Sequence, residues 1–188
     1  AEYGSAGNPA TTKKEYRPGW KPQTIFLDNI KKENILVIQT ANFRDISSGL
    51  HISPVIGLPN KVVQKRTNKI FFSTIVFGAL VLMAFYHFGL FFYRRNDMST
   101  LFFALFSLDI GIRSLLYSEI VILDIINLPF VVILKSGYLT FTLALTSFVA
   151  FLHSVYPTKH SNIINKIAFV VSITYSMIII VTPDYIFT

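Results

Sequence analysis

The chain is predicted to be a membrane α-helical bundle of about four transmembrane helices, preceded by a polar, β-rich outer segment of about 65 residues. Three observations predict it. Hydrophobic residues make up 52% of the sequence and charged residues 14%, against roughly 25% charged in an ordinary soluble domain. The charges are segregated: residues 1–69 hold most of the Lys, Arg, Asp and Glu, while 70–188 are dominated by Phe, Leu, Ile and Val. The back part also carries apolar runs long enough to cross a hydrocarbon core.

The outer segment opens with Gly4, Gly7, Pro9, Pro18, Gly19 and Pro22, which mark it as loop-like. Residues 24–27 and 34–40 are short β-branched runs bounded by Pro, Asn, Asp and Lys, which are strand signals joined by a turn over 28–33. Two strands cannot bury a core, so they are expected to complete a larger sheet. The chain lacks an initial Met and a signal peptide and stops at Thr188 without a tail, so it reads as a fragment of a longer protein. Residues 61–69, with Lys61, Lys65, Arg66 and Lys69, form a juxtamembrane linker compatible with helix continuing out of the membrane.

The transmembrane region is 70–188. Span one, about 70–93, is uncharged and closed by Arg94, Arg95, Asn96 and Asp97; at 1.5 Å per residue it is ~36 Å long, enough for a ~30 Å core. Span two, about 101–118, is apolar except for Asp109 and Arg113. Span three, about 130–156, is stopped by Pro157, and its Lys135 can snorkel outward. Span four, about 163–182, is stopped by Pro183. Residues 119–128 are apolar enough to lie in the membrane interface. Arg94 and Arg95 in the first connection and Lys159 and Lys166 in the third place those loops in the cytoplasm and residues 1–69 outside. The basic linker opposes this, but long translocated domains largely escape the charge rule.

Several function classes are disfavoured. The net charge of +7 would suit nucleic acid only if the basic residues shared a soluble face; here they flank hydrophobic runs, so no nucleic-acid partner is expected. With no Cys in the chain, disulfides, thiolate metal sites and thiol catalysis fall away. No cofactor or metal is expected.

Ala41, Asn42, Phe43, Arg44, Asp45, Ile46, Ser47, Ser48, Gly49 and Leu50, followed by Pro54, Val55, Ile56 and Gly57, resemble the junction of bacterial seven-transmembrane receptors with diverse intracellular signalling modules. Ser48-Gly49 stands where that family has a Gly-Gly turn, so the turn is expected to differ. The resemblance continues through Gly78-Ala79-Leu80, Tyr86-His87, Arg94-Arg95, Leu101-Phe102-Phe103 and Ile112-Arg113-Ser114-Leu115, and it covers most of the chain from about Tyr16 to Pro157. It implies that residues 1–60 end a periplasmic jelly-roll (β-sandwich) sensor domain similar to carbohydrate-binding modules. It also implies that the spans are the first four of seven in a bacterial inner membrane, with a cytoplasmic output module beyond this chain.

Asp109 and Arg113 are four residues apart on one helix face. A lone charge at mid-bilayer costs ~2.5–3.5 kcal/mol on insertion scales, so pairing within the bundle is expected. The two residues are a polar switch, a static salt bridge fixing helix rotation, or charges that simply snorkel. Ala104, Ser107, Gly111 and Ser114 form a small-residue stripe roughly opposite, which suits close helix approach in lipid. Gly137, Thr140, Ala144, Ser147, Ala150 and Ser154 make a second stripe in span three, with Thr142, Thr146 and His153 on another side; Ser and Thr there can bond the preceding-turn carbonyl. His87 and His153 are titratable candidates for the same switch, although interfacial hydrogen bonding explains them as well. Trp20, with Tyr16 and Phe26, is a candidate sugar contact or a part of the outer core.

The leading function is a signal-transducing receptor fragment coupling an outer ligand, carbohydrate-like on the family resemblance, to a cytoplasmic module; a homodimer is compatible with it. The alternative, a transporter or channel subunit, calls for broken helices or inverted repeats, whereas the prolines here sit at span ends. An intramembrane enzyme would need a catalytic motif such as Gly-x-Ser-x-Gly or His-Glu-x-x-His, and the chain contains neither.

Overall fold

A computed structural model describes residues 4–19, 22–27, 33–41, 43, 53–117, 119–126 and 128–183, with the backbone alone for Asp124 and Ile125. The chain divides into two units, one up to Lys69 and one over Ile70–Thr182.

In the first unit the opening stretch folds back on itself. Asn8 and Arg17 form an antiparallel bridge with N···O distances of 2.8 and 3.1 Å. Asn8 Nδ2 donates to Glu15 O at 2.9 Å, closing the turn between them. Gly7, just before the bridge, takes a φ of 74°, a left-handed conformation that glycine adopts without a Cβ clash. The strands expected at 24–27 and 34–40 form no ladder among the described residues. Their β-branched side chains favour a strand only against a neighbouring surface, and Ile35 is 92% exposed.

The second unit is helical. α1 spans Pro59–Tyr93, α2 Met98–Tyr117, α3 Ile122–Ile125, α4 Phe130–Val155 and α5 Lys159–Val181. α1, α2, α4 and α5 are each long and apolar enough to cross a membrane. Hydropathy locates the membrane part of each, whereas local capping decides where each helix begins. α1 starts at Pro59, a residue suited to a first helical turn, so the linker 61–69 is helix. α2 begins three residues before the apolar run because Asp97 Oδ1 accepts from the backbone N–H of Ser99 at 3.1 Å and from its hydroxyl at 2.5 Å. α5 begins four residues early because Thr158 and Ser161 form a reciprocal capping box. Pro157 and Pro183 follow the last turns of α4 and α5, where their missing N–H stops the helix.

The connection between α2 and α4 packs against both helices. It folds into a cluster in which Leu116, Ile120 and Ile133 are buried, with Ile112, Ile122, Leu123 and Leu128 packed around them. Ile120 takes a φ of 51°, a strained position for a β-branched residue; burial of its side chain in this cluster opposes the strain.

Side-chain contacts give the order of the long helices. α1 lies against α2: Gly111 faces Phe77 and Leu80, and the His87 and Phe103 rings stand 4.5 Å apart. α2 lies against α4 through Phe103 and Phe151 at 5.2 Å and Phe106 and Phe148 at 5.3 Å. α4 lies against α5 at both ends, through Lys135 and His153. In each pair the residue numbers run in opposite directions, so neighbours are antiparallel.

Candidate functional site

The two faces of α2 are built from different chemistry. Toward α1 run Ala104, Ser107, Gly111 and Ser114; the first three are buried and Ser114 is half-buried. Ala104 is 0% exposed, and a Cβ placed on Gly111 would lie 3.4 Å from Leu80 Cβ, an ordinary contact. Ser114 Oγ donates to its own Gly111 carbonyl at 2.7 Å. Small side chains let the two helices approach closely, which is the main source of association where lipid removes the hydrophobic drive. The small residues picked out in the sequence thus lie on the side of α2 that meets α1.

Toward α4, α2 presents Arg113. Its Nη1 donates to the Gly137 carbonyl of α4 at 2.8 Å. The guanidinium lies over the Tyr117 ring at 4.1 Å and 5.3 Å from the Phe141 ring centroid. The planar cation thus gains a charge-assisted hydrogen bond and two aromatic neighbours without leaving the helix interface. Gly137 makes this approach feasible: a Cβ there would stand 3.0 Å from the Tyr117 hydroxyl and 3.2 Å from Cε2. The same carbonyl accepts from Thr140 Oγ1 at 3.1 Å.

The expected Asp109–Arg113 ion pair is not formed. Arg113 reaches across to α4, and among the described residues the Asp109 carboxylate has no hydrogen bond or ion pair and is half-buried on α2. The carbonyl and the two rings satisfy the guanidinium together. Asp109, one turn back and ~40° round the helix, can supply only the ionic part of that environment.

On α4, Gly137, Thr140, Ala144, Ser147 and Ala150 are buried and Ser154 is half-buried. Thr140, Thr142, Thr146 and Ser154 each bond a carbonyl one turn back at 2.8–3.0 Å, so their polarity is met inside the helix. Lys135, Thr142, Thr146 and His153 lie within ~40° of one another around α4. The outer two of this row reach α5. Lys135 Nζ donates to Ile180 O at 3.1 Å and Thr182 O at 2.9 Å, capping the α5 C-terminus rather than only snorkelling. His153 Nδ1 lies 2.8 Å from Ser161 Oγ. That hydroxyl also bonds the Thr158 N–H and stands 3.0 Å from the Tyr156 and Thr158 carbonyls. A hydroxyl has one proton; if it serves a carbonyl, His153 Nδ1 is the donor.

His87 is placed differently. Its Nδ1 lies 2.9 Å from the Met83 carbonyl of its own helix, and its ring leans on Phe103. The four residues proposed as a polar switch are therefore not one cluster: the two histidines mark one end of the bundle, and Arg113 is four residues from the other end of α2. Trp20 lies outside the described residues. Tyr16 packs edge-on against Phe43 at 5.6 Å, and Phe26 is exposed. Sequence reasoning missed the aromatic seam of Phe103, Phe106, Phe148 and Phe151; its signal was a Phe pair at i,i+3 on each of two antiparallel helices. It also missed Tyr117 and Phe141 as ring partners of Arg113. Among the described residues no group of three His, Cys, Asp or Glu is placed to hold a metal.

Four long apolar helices in antiparallel succession, with a cation bridging two of them inside the bundle, define a multi-pass membrane protein. Residues 69–188 match the family described as 7TM diverse intracellular signalling, and the chain belongs to that family. No curated protein and no solved structure matches the chain.

Proposed function

We propose that this chain is the transmembrane part of a bacterial inner-membrane receptor, in which a shift of α2 against α4 carries the signal. Residues 1–69 lie outside the cell, with 1–60 ending a jelly-roll sensor for a carbohydrate-like ligand, 61–69 linking it to the membrane, and Trp20 as a candidate contact. The output module is cytoplasmic and supplies any catalysis. The orientation is supported by exposed Arg94 and Arg95 between α1 and α2, and by exposed Lys159 and Lys166 in the first turns of α5. The transporter reading draws no support from the fold: α1, α2, α4 and α5 are continuous, whereas transporter sites use helices broken near mid-span.

The observation that carries the mechanism is the position of Arg113. It grips α4 through a single carbonyl, while Asp109 waits one turn back without a partner. Those are two alternative partners for one guanidinium. A ligand-driven displacement that separates α2 from Gly137 is opposed less if Arg113 can turn to Asp109, which makes the interface a two-state element. His87 and His153, at the other end on the α1–α2 and α4–α5 contacts, are further candidates for the switch.

The test uses the full-length receptor and the basal activity of its own output module. Asp109→Asn removes the alternative partner and should hold the receptor in the state described above. Arg113→Gln removes the grip and should move basal output in the opposite direction. Unchanged output in both variants, with normal membrane levels, rejects the mechanism.

A further inference from the structure

We infer that the N-terminal turns of α1 form a binding surface for the phosphate groups of anionic phospholipids, with Lys61 and Lys65 as its contacts. This goes beyond the signalling proposal and rests only on α1 being a membrane helix.

α1 runs without a break from Pro59 to Tyr93, so the positions of its side chains follow from helix geometry. At 100° per residue, Lys61, Lys65, Phe72, Met83 and Tyr86 fall within ~60° of one another on the helix surface. Phe72 is 69% exposed and Tyr86 63%; in a bilayer these positions meet acyl chains. The inward face is a different one, carrying the buried Ser73 and Ala84. Lys61 and Lys65 are thus aligned with the lipid-facing side of their own helix.

The axial heights agree. Ile70 begins the uncharged run, and Lys65 and Lys61 stand ~7 and ~13 Å from it along the axis. A headgroup layer adds about 5–8 Å on each side of the hydrocarbon, and a lysine side chain extends several ångströms to reach back to it. Lys65 therefore stands in the phosphate layer and Lys61 just above it. α1 contains no Asp or Glu, and among the described residues neither the Lys61 nor the Lys65 side chain makes a hydrogen bond or ion pair. Arg66 is directed elsewhere, its Nη1 reaching Thr24 Oγ1 at 3.5 Å. Two compact cations on the lipid side, without protein partners, match the phosphate of a phosphatidylglycerol-type lipid in charge and in depth.

The chain has no cysteine, so Gln64→Cys supplies a single site for a fluorophore beside the two lysines. The labelled chain is placed in phosphatidylcholine bilayers doped with a small fraction of either phosphatidylglycerol or phosphatidylcholine bearing a nitroxide high on the acyl chain. Quenching reports how far each lipid is enriched at the site. The expected result is local enrichment of phosphatidylglycerol at low salt, about fivefold per lysine, falling as salt is raised to about 0.15 M. Lys61→Gln with Lys65→Gln should return the two quenchers to parity, while Lys159→Gln with Lys166→Gln should leave the enrichment in place. Equal quenching by the two lipids overturns the assignment, as does enrichment that survives loss of both lysines. Inorganic phosphate abolishing the enrichment, where chloride of matched ionic strength does not, would show a free-anion site and overturn it too.

Discussion

The two faces of α2 do the same job with opposite materials. The face toward α1 is smooth on the α2 side over most of its length: Ala104, Ser107 and Gly111 contribute almost no side chain, and Phe77 and Leu80 of α1 lie on Gly111. The face toward α4 is interlocked: Arg113, Tyr117, Gly137 and Phe141 form one assembly, and two Phe–Phe contacts continue it along the helix. A smooth interface can slide or rotate by small amounts at little cost, and here its polar link is the long 3.5 Å contact of Ser114 Oγ with the Ser73 carbonyl. An interlocked one holds a register and releases it only when its central group finds another partner. If the bundle transmits motion, α1 is the element free to move on α2, and Arg113 sets the threshold for moving α4.

The strongest way to break this contrast is to remove the lock. Arg113→Ala should cost about 2–3 kcal/mol, combining a charge-assisted hydrogen bond with cation–π contacts, measured as the unfolding free energy in mixed micelles titrated with denaturing detergent. Arg113→Lys should recover less than half of that, because an ammonium cannot lie flat between two rings. A loss below about 0.5 kcal/mol for Arg113→Ala would make the two faces energetically alike. Next in size are the glycines. Gly137→Ala crowds the Tyr117 ring and should cost about 1–2 kcal/mol. Gly111→Ala meets only ordinary contact and should lie within about 0.5 kcal/mol of the parent, because added helix propensity offsets any crowding. Equal costs at the two positions would erase the distinction.

Asp109 sharpens the comparison from another side. Because it does not touch Arg113 in this state, Asp109→Asn and Arg113→Gln should be additive in folding free energy within about 0.5 kcal/mol. A coupling above about 1 kcal/mol would mean that the pair forms in the resting bundle after all, and the lock would then lie within α2.

What the sequence disclosed follows from which forces act locally. Lipid demands long apolar runs, so the four spans were legible from composition and length, and Pro157 and Pro183 marked their ends. Small-residue stripes could be drawn because steps of three and four fix a face. The partner of each stripe was not legible, since nothing in Ala104 or Gly111 says whether α1 or α4 will approach. Arg113 was recognised as needing a partner, but its nearest carboxylate in sequence was the wrong choice. Its actual partners, the Gly137 carbonyl and the Phe141 ring, are more than twenty residues away and come within reach only once α2 and α4 pack. The packing of the connection over 119–128 was not legible, because apolar content alone does not say that its side chains will fold against Leu116 and Ile133.

The smallest expected effect concerns the point where both faces of α2 begin. Asp97 caps the first turn, and the Ser99 hydroxyl, with help from backbone N–H groups, holds its carboxyl below the ordinary carboxylate range despite some desolvation. A carboxylate whose pKa is lowered in the folded state stabilises the fold above its unfolded value, and the contribution fades as pH falls through the folded one. Stability should therefore be flat near neutrality and decline below about pH 4, and Asp97→Asn should remove that part of the decline while retaining an acceptor for Ser99. Asp97→Ala should cost about 1 kcal/mol at neutral pH, typical of a lost N-cap. Fraying of the first turn places Phe103 and His87 at risk before Arg113. The Asp97→Ala variant should thus loosen the α1 side at this end while leaving the Gly137 grip intact, which hydrogen exchange along α2 would report as protection lost near Thr100 and kept near Arg113.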